Sequence, residues 1–77
     1  MNEPNQSNDP DAKMIRLDDL LKRSGIVGTG GEAKILIQAG EVTLNGEVET
    51  RRRKQLAIGD VVVVYNETIE VTDDYFD

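Results

Sequence analysis

The spacing of apolar positions along this 77-residue chain changes twice, and each change marks a different kind of element. Met1 to Ala12 is rich in Asn, Pro, Asp and Ser with almost nothing to bury. Such a segment cannot offset its own ordering entropy, so residues 1–12 are expected to form a disordered tail. From Leu17 the spacing is helical: Leu17, Leu20, Leu21 and Ser24 share one stripe, Asp18 and Asp19 lie in the first turn where the helix dipole favours acids, and Gly25 is placed to end the helix. A second helix opens with Thr29 and, three residues on, Glu32, a capping box; Ala33, Leu36 and Ile37 form its core face and Gly40 its stop.

After Gly40 the period becomes extended. Val42-Thr43-Leu44 leads into Asn45-Gly46, the strongest short hairpin signal, and then into Glu47-Val48-Glu49. A strict two-residue loop sets Glu47 opposite Leu44 and leaves Val48 on the face of Thr43, so a bulge or a longer loop is the alternative. Arg51 to Gln55 is polar and reads as a loop or an exposed strand end. Ile58-Gly59-Asp60 reads as a tight turn into Val61–Tyr65, a continuous apolar strand suited to the centre of a small sheet; Asn66-Glu67 then turns the chain into Thr68–Val71. Residues 72–77 are an acidic tail expected to fray. The fold class is α+β: two short helices packed on a small antiparallel sheet, in a single domain over residues 13–71.

Composition narrows what such a domain does. At this length, with 38% hydrophobic residues, one small core is affordable and no catalytic domain is expected beside it. There is no Cys, which excludes a disulfide scaffold, a zinc ribbon and a thiol nucleophile; there is no His, the commonest general base and metal ligand. An enzyme is not expected, nor a cofactor or metal. No stretch reaches the ~20 apolar residues of a membrane helix and the first twelve residues are too polar for a signal peptide, so a cytoplasmic location is expected. The net charge of −6 argues at first against a nucleic-acid partner. Its distribution reverses that argument: residues 1–12 hold three acids and no base, residues 55–77 hold six acids and no base, and residues 13–54 hold all nine bases against six acids.

The densest charge is Arg51-Arg52-Arg53-Lys54. Four adjacent cations repel one another, and guanidinium groups match phosphate oxygens in a bidentate way, so the run suits a polyanion; otherwise it is a solubility feature or pairs with Glu47 and Glu49. Gly28-Thr29-Gly30-Gly31 precedes the second helix but lacks the Lys-Ser or Lys-Thr of a nucleotide-binding loop, so it is read first as a helix-to-helix connection, with a single backbone contact to a phosphate left open. Gly59-Asp60 before four Val suggests a β-grasp sulfur carrier, yet those act through a Gly-Gly terminus and this sequence ends Asp74-Tyr75-Phe76-Asp77. Tyr65, Tyr75 and Phe76 are too few aromatics for a single-strand stacking platform, which favours a folded RNA read through shape and phosphates.

In order and spacing these pieces resemble the RNA-binding domain first described in small-subunit ribosomal protein S-four, the α-L motif. The resemblance runs from about Ile15 to Val64. It rests on Arg16-Leu17-Asp18-Asp19-Leu20-Leu21, on Glu32-Ala33-Lys34 with Leu36-Ile37 and Gly40, and on Val42-Thr43-Leu44-Asn45-Gly46-Glu47-Val48 followed by Gly59-Asp60-Val61. Gly30-Gly31-Glu32-Ala33-Lys34 and the arginine run are most similar to the small stand-alone members, the YbcJ/YaaA-like proteins. The resemblance implies binding to structured RNA, ribosomal or transfer RNA, within or beside a ribosomal particle; a monomer is expected, with a dimer left open. By position it implies contacts from Arg16 and Arg23 on the first helix, Lys34 and Gln38 on the second, and Arg51, Arg52, Arg53 and Lys54 on the loop. Two departures bear on affinity: Gly28 to Gly31 replaces Ser or Arg residues that reach RNA in many members, and the second helix carries one cation. The alternative function is a protein-interaction module that meets ribosomal or other basic proteins through its acidic ends without touching RNA.

Overall fold

A computed structural model describes residues 13–76. The expected disordered tail, residues 1–12, lies outside them. The element order is β1 (Met14–Arg16), α1 (Leu17–Arg23), α2 (Gly30–Gln38), β2 (Thr43–Leu44), β3 (Glu47–Val48), β4 (Gln55–Ala57), β5 (Val61–Val64), β6 (Glu67–Glu70) and a closing 3-10 turn at Asp73–Tyr75. Four strands form an antiparallel sheet in the order β3-β2-β5-β6, and β1 pairs with β4 in a separate two-stranded ladder. One core joins these parts. Leu17, Leu20, Leu21, Ala33 and Ile37 of the helices and Val42, Leu56, Val62 and Val71 of the extended segments are all fully buried. The expected architecture, two short helices on an antiparallel sheet, is the one observed.

Local signals produce the expected helices. Thr29 is the N-cap of α2 and its hydroxyl accepts from the Glu32 backbone N–H, while the Glu32 carboxylate accepts from the Gly28 N–H, one residue further back than a capping box places it. Gly25 and Gly40 end the helices at φ of 85° and 81°, where a side chain would be strained. In the first hairpin Asn45 and Gly46 both have positive φ, and the strict register holds: Thr43 faces Val48 and Leu44 faces Glu47. Val48 is consequently exposed. Asn45 also fastens the hairpin to β5, accepting from the Val61 N–H through Oδ1 and donating to Asp60 through Nδ2.

Three features differ from expectation. β1 and β4 form an unforeseen ladder in which Ile15 opposes Leu56, three-residue strands too short to show a period. The second hairpin turns at Tyr65-Asn66, both with positive φ, so β5 ends at Val64 and β6 begins one residue earlier than anticipated. Finally, residues 72–76 of the expected frayed tail form a 3-10 turn whose Tyr75 and Phe76 are partly buried against the core, Asp77 lying outside the described residues. The unbroken apolar run of β5 is explained by its central position between β2 and β6.

Candidate nucleic-acid interface

The first turn of α1 and the arginine loop build one surface. Arg16, the N-cap of α1, makes no side-chain cap, and the helix's first N–H groups need partners from elsewhere. The loop supplies them. Leu17 N–H donates to the Lys54 carbonyl at 2.9 Å and Asp18 N–H to the Arg52 carbonyl at 3.1 Å. The loop backbone is therefore locked to the start of the helix, and its side chains divide: Arg52 and Lys54 are half-buried, Arg51 and Arg53 exposed.

Asp18 lies at the centre of this arrangement. Its carboxylate is 2% exposed and accepts from Arg16 Nε at 3.1 Å, Arg16 Nη2 at 2.7 Å and Arg52 Nε at 3.0 Å. Burial alone pushes the Asp18 carboxyl up, but the hydrogen bonds from the two guanidinium groups outweigh it and hold the group below the usual carboxylate range. A second pair sits beside it: Glu49 accepts from Arg51 Nε at 2.8 Å and Nη2 at 3.1 Å, and these bonds lower its pKa to about 2. Arg53 and Lys54 make no side-chain hydrogen bond or ion pair with a described residue. The first turn of α1 and the loop thus carry five cations against the paired Asp18 and Glu49, with Asp19 acting on Arg16 and Glu47 lining the same hollow as Arg51 and Lys54.

The remaining candidates stand apart from that cluster. Arg23 ends α1, about 10 Å along the axis from Arg16, and its Nη1 donates to the Tyr75 carbonyl at 2.6 Å, a contact that secures the C-terminal turn. Lys34 and Gln38 lie exposed on one flank of α2. No hydrogen bond or ion pair among the described residues joins these three to Asp18. The loop and the first turn of α1 are brought together, whereas Arg23, Lys34 and Gln38 are separate points around them.

Asp18 itself escapes a reading by residue type, because a first-turn acid is already explained by the helix dipole. The available signal is its spacing: three residues before Leu21, it shares a face with the buried stripe. Glu49 is the nearby acid that pairs with the run, while Glu47 does not. Among the described residues no group of His, Cys, Asp or Glu side chains is arranged to hold a metal ion, and no helix is long and apolar enough to cross a membrane.

Comparison with known proteins places this geometry. The sequence model of the family described as the S4 domain matches residues 9–72. The Escherichia coli (strain K12) protein named "Putative RNA-binding protein YbcJ" is 39% identical over 57 residues, which cover 74% of this chain and 81% of that relative. The Bacillus subtilis (strain 168) protein named "Probable ribosome maturation protein RlbA" is 39% identical over 54 residues, 70% of this chain and 76% of that relative. Among solved structures, trimeric Vibrio cholerae Heat Shock Protein 15 superposes with a TM-score of 0.68 at 23% identity, covering 78% of this chain and 64% of that one. A pseudouridylate synthase superposes with a TM-score of 0.65 at 23% identity, covering 73% of this chain and 24% of that one. Both structural likenesses concern the fold.

Proposed function

The chain belongs to the S4 domain family, and from that premise we propose that it is a non-catalytic RNA-binding protein that docks on structured RNA, ribosomal or transfer RNA, through the first turn of α1 and the arginine loop. The observation that supports this reading is the loop fastened to α1 by two backbone hydrogen bonds and by the Arg16–Asp18–Arg52 contacts, which brings the arginine run to the first turn of the helix. A fixed set of cations loses less conformational freedom on meeting phosphates than a mobile run does. Arg23, Lys34 and Gln38 extend the surface as peripheral contacts. The names of the E. coli and B. subtilis relatives, an RNA-binding protein and a ribosome maturation protein, support the same partner class. The protein acts as a cytoplasmic monomer on ribosomal RNA or a ribosomal particle, without cofactor.

The test is equilibrium binding of a transfer RNA or a ribosomal RNA fragment by the intact protein and by a variant with Arg51, Arg52, Arg53 and Lys54 all replaced by Ala. Binding is expected to weaken by at least tenfold while circular dichroism is unchanged. Undiminished binding by the folded variant overturns the assignment of the site. A second reading, a protein-interaction module, draws on one observation: Ile35 and Tyr65 are 69% and 61% exposed beside Ile26, Val27 and Leu36, an open hollow with Glu32 as its charged lining residue. Partners captured equally from nuclease-treated and untreated lysate favour that reading, and partners lost with the RNA favour the first.

A further inference from the structure

We infer that Asp18 is a positioning residue of the RNA-binding surface, holding Arg16 and Arg52 side by side as a single two-guanidinium fork for a phosphate group. The inference rests on the RNA-binding reading and goes beyond it by separating one oriented contact from the surrounding diffuse charge. Asp18 is the buried charged residue of the described chain, and both its partners stay at the surface, with Arg16 and Arg52 side chains 40% and 32% exposed. The carboxylate engages Nε and Nη2 of Arg16 and Nε of Arg52. A guanidinium carries five N–H donors, so three on Arg16 and four on Arg52 are without a partner among the described residues. One negative charge between two positive ones leaves the group cationic, and a phosphate oxygen completes the alternation.

Asp18 also fixes the distance between the two arginines. Its side chain holds Arg52's guanidinium while its own N–H holds Arg52's carbonyl, so the residue that turns the loop is anchored at both ends to one helical position. Arg52 Nη2 reaches to 3.5 Å from the point where a Cβ on Gly30 would stand, which sets the fork between the first turns of α1 and α2. Its neighbours in the run lack this definition. Arg51 is occupied by Glu49, and Arg53 projects outward with no described partner. Within the run Arg52 is therefore the cation bonded to α1, Arg51 is oriented on Glu49, and Arg53 and Lys54 make no side-chain bond to a described residue.

Simple electrostatics and positioning predict opposite signs, which makes the inference testable. Asp18→Asn removes a negative charge from a phosphate-binding surface, so Coulomb interaction alone tightens binding. Positioning predicts weaker binding, by about tenfold for the loss of charge-assisted hydrogen bonds that orient the fork. The measurement is the Kd of the full chain for a transfer RNA transcript, with a single-stranded homopolymer RNA of equal length as the charge-only probe. Asp18→Asn is expected to weaken transfer RNA binding and to leave homopolymer binding unchanged or tighter. Arg52→Lys keeps the net charge and a partner for Asp18 but loses the fork, and is expected to bind transfer RNA about fivefold more weakly, a larger loss than that of Arg53→Lys, which gives up no contact with Asp18.

Asp18→Asn binding transfer RNA as tightly as wild type, or Arg52→Lys and Arg53→Lys behaving alike, overturns the inference and leaves the parent reading intact. If Asp18→Asn does not fold, the two lysine variants decide. Wild-type protein that binds neither RNA overturns the parent reading and this inference with it.

Discussion

Glu49 shows how one residue links stability to the use of the surface. Its carboxyl titrates near 2 rather than 4.5 because Arg51 holds the ionised form. A depressed folded-state pKa stabilises the fold at pH values above the unfolded pKa, and that contribution is lost as pH falls from about 4.5 toward 2. Glu49→Gln is therefore expected to flatten the acid limb: the urea midpoint of the variant should change less than that of wild type between these two values. The effect is small, since Arg51 is 70% exposed and solvent screens the pair. A variant with the wild-type pH dependence contradicts the pairing. At this scale the cations were legible from residue type, and their counter-ions only in part. Asp18 and Arg52 are 34 positions apart, so no local pattern announces their contact. Glu49 is two residues from Arg51 and stood among the foreseeable partners.

Elements with strong local chemistry were readable, and those made by long-range pairing were not. Thr29, Gly25 and Gly40 delimit the helices because caps and positive φ are properties of single positions. Asn45-Gly46 determines the first hairpin for the same reason, and Gly46→Ala, which forces an alanine to a φ of 90°, is expected to cost about 1 kcal/mol, measured as a lower urea midpoint with an unchanged m-value. Equal stability contradicts the turn geometry. The β1–β4 ladder has three residues per strand and one buried side chain in each, and it pairs segments about forty residues apart in the chain. Its formation depends on the loop docking onto α1, which has no signature in either strand. Tyr65 occupies positive φ without the Asn-Gly chemistry that marks the first turn, which accounts for the one-residue offset of the second.

The sheet topology separates some of the acids of the described residues from the arginine loop. Sheet order β3-β2-β5-β6 puts Glu67 and Glu70 on one edge strand and β3, which leads into the arginine loop, on the other. A net charge of −6 is thus compatible with a basic segment, since Glu67 and Glu70 lie on the edge strand opposite β3, while Glu49 pairs with Arg51. The segment through Phe76 is part of the fold: Lys13 pairs with Asp73 at 2.7 Å, Arg23 bonds the Tyr75 carbonyl, and Tyr75 and Phe76 pack against the core. Ending the chain after Thr72 is therefore expected to lower stability, by about 2 kcal/mol for uncovering two half-buried aromatics, detected as a lower melting temperature. An unchanged melting temperature contradicts that packing. Fold class and the basic middle were legible in the sequence; the packed C-terminus was not, because acidity suggested solvation where two aromatics decided the outcome.

The central claim is that the arginine loop binds RNA through phosphates, and the salt dependence of affinity tests it most directly. If the surface neutralises about four phosphates, log Kd for a structured RNA should rise against log salt with a slope of roughly 3 to 3.5. The variant lacking all four loop cations should show a slope shallower by at least half. A wild-type slope near zero, or the same slope with and without the loop cations, contradicts the account.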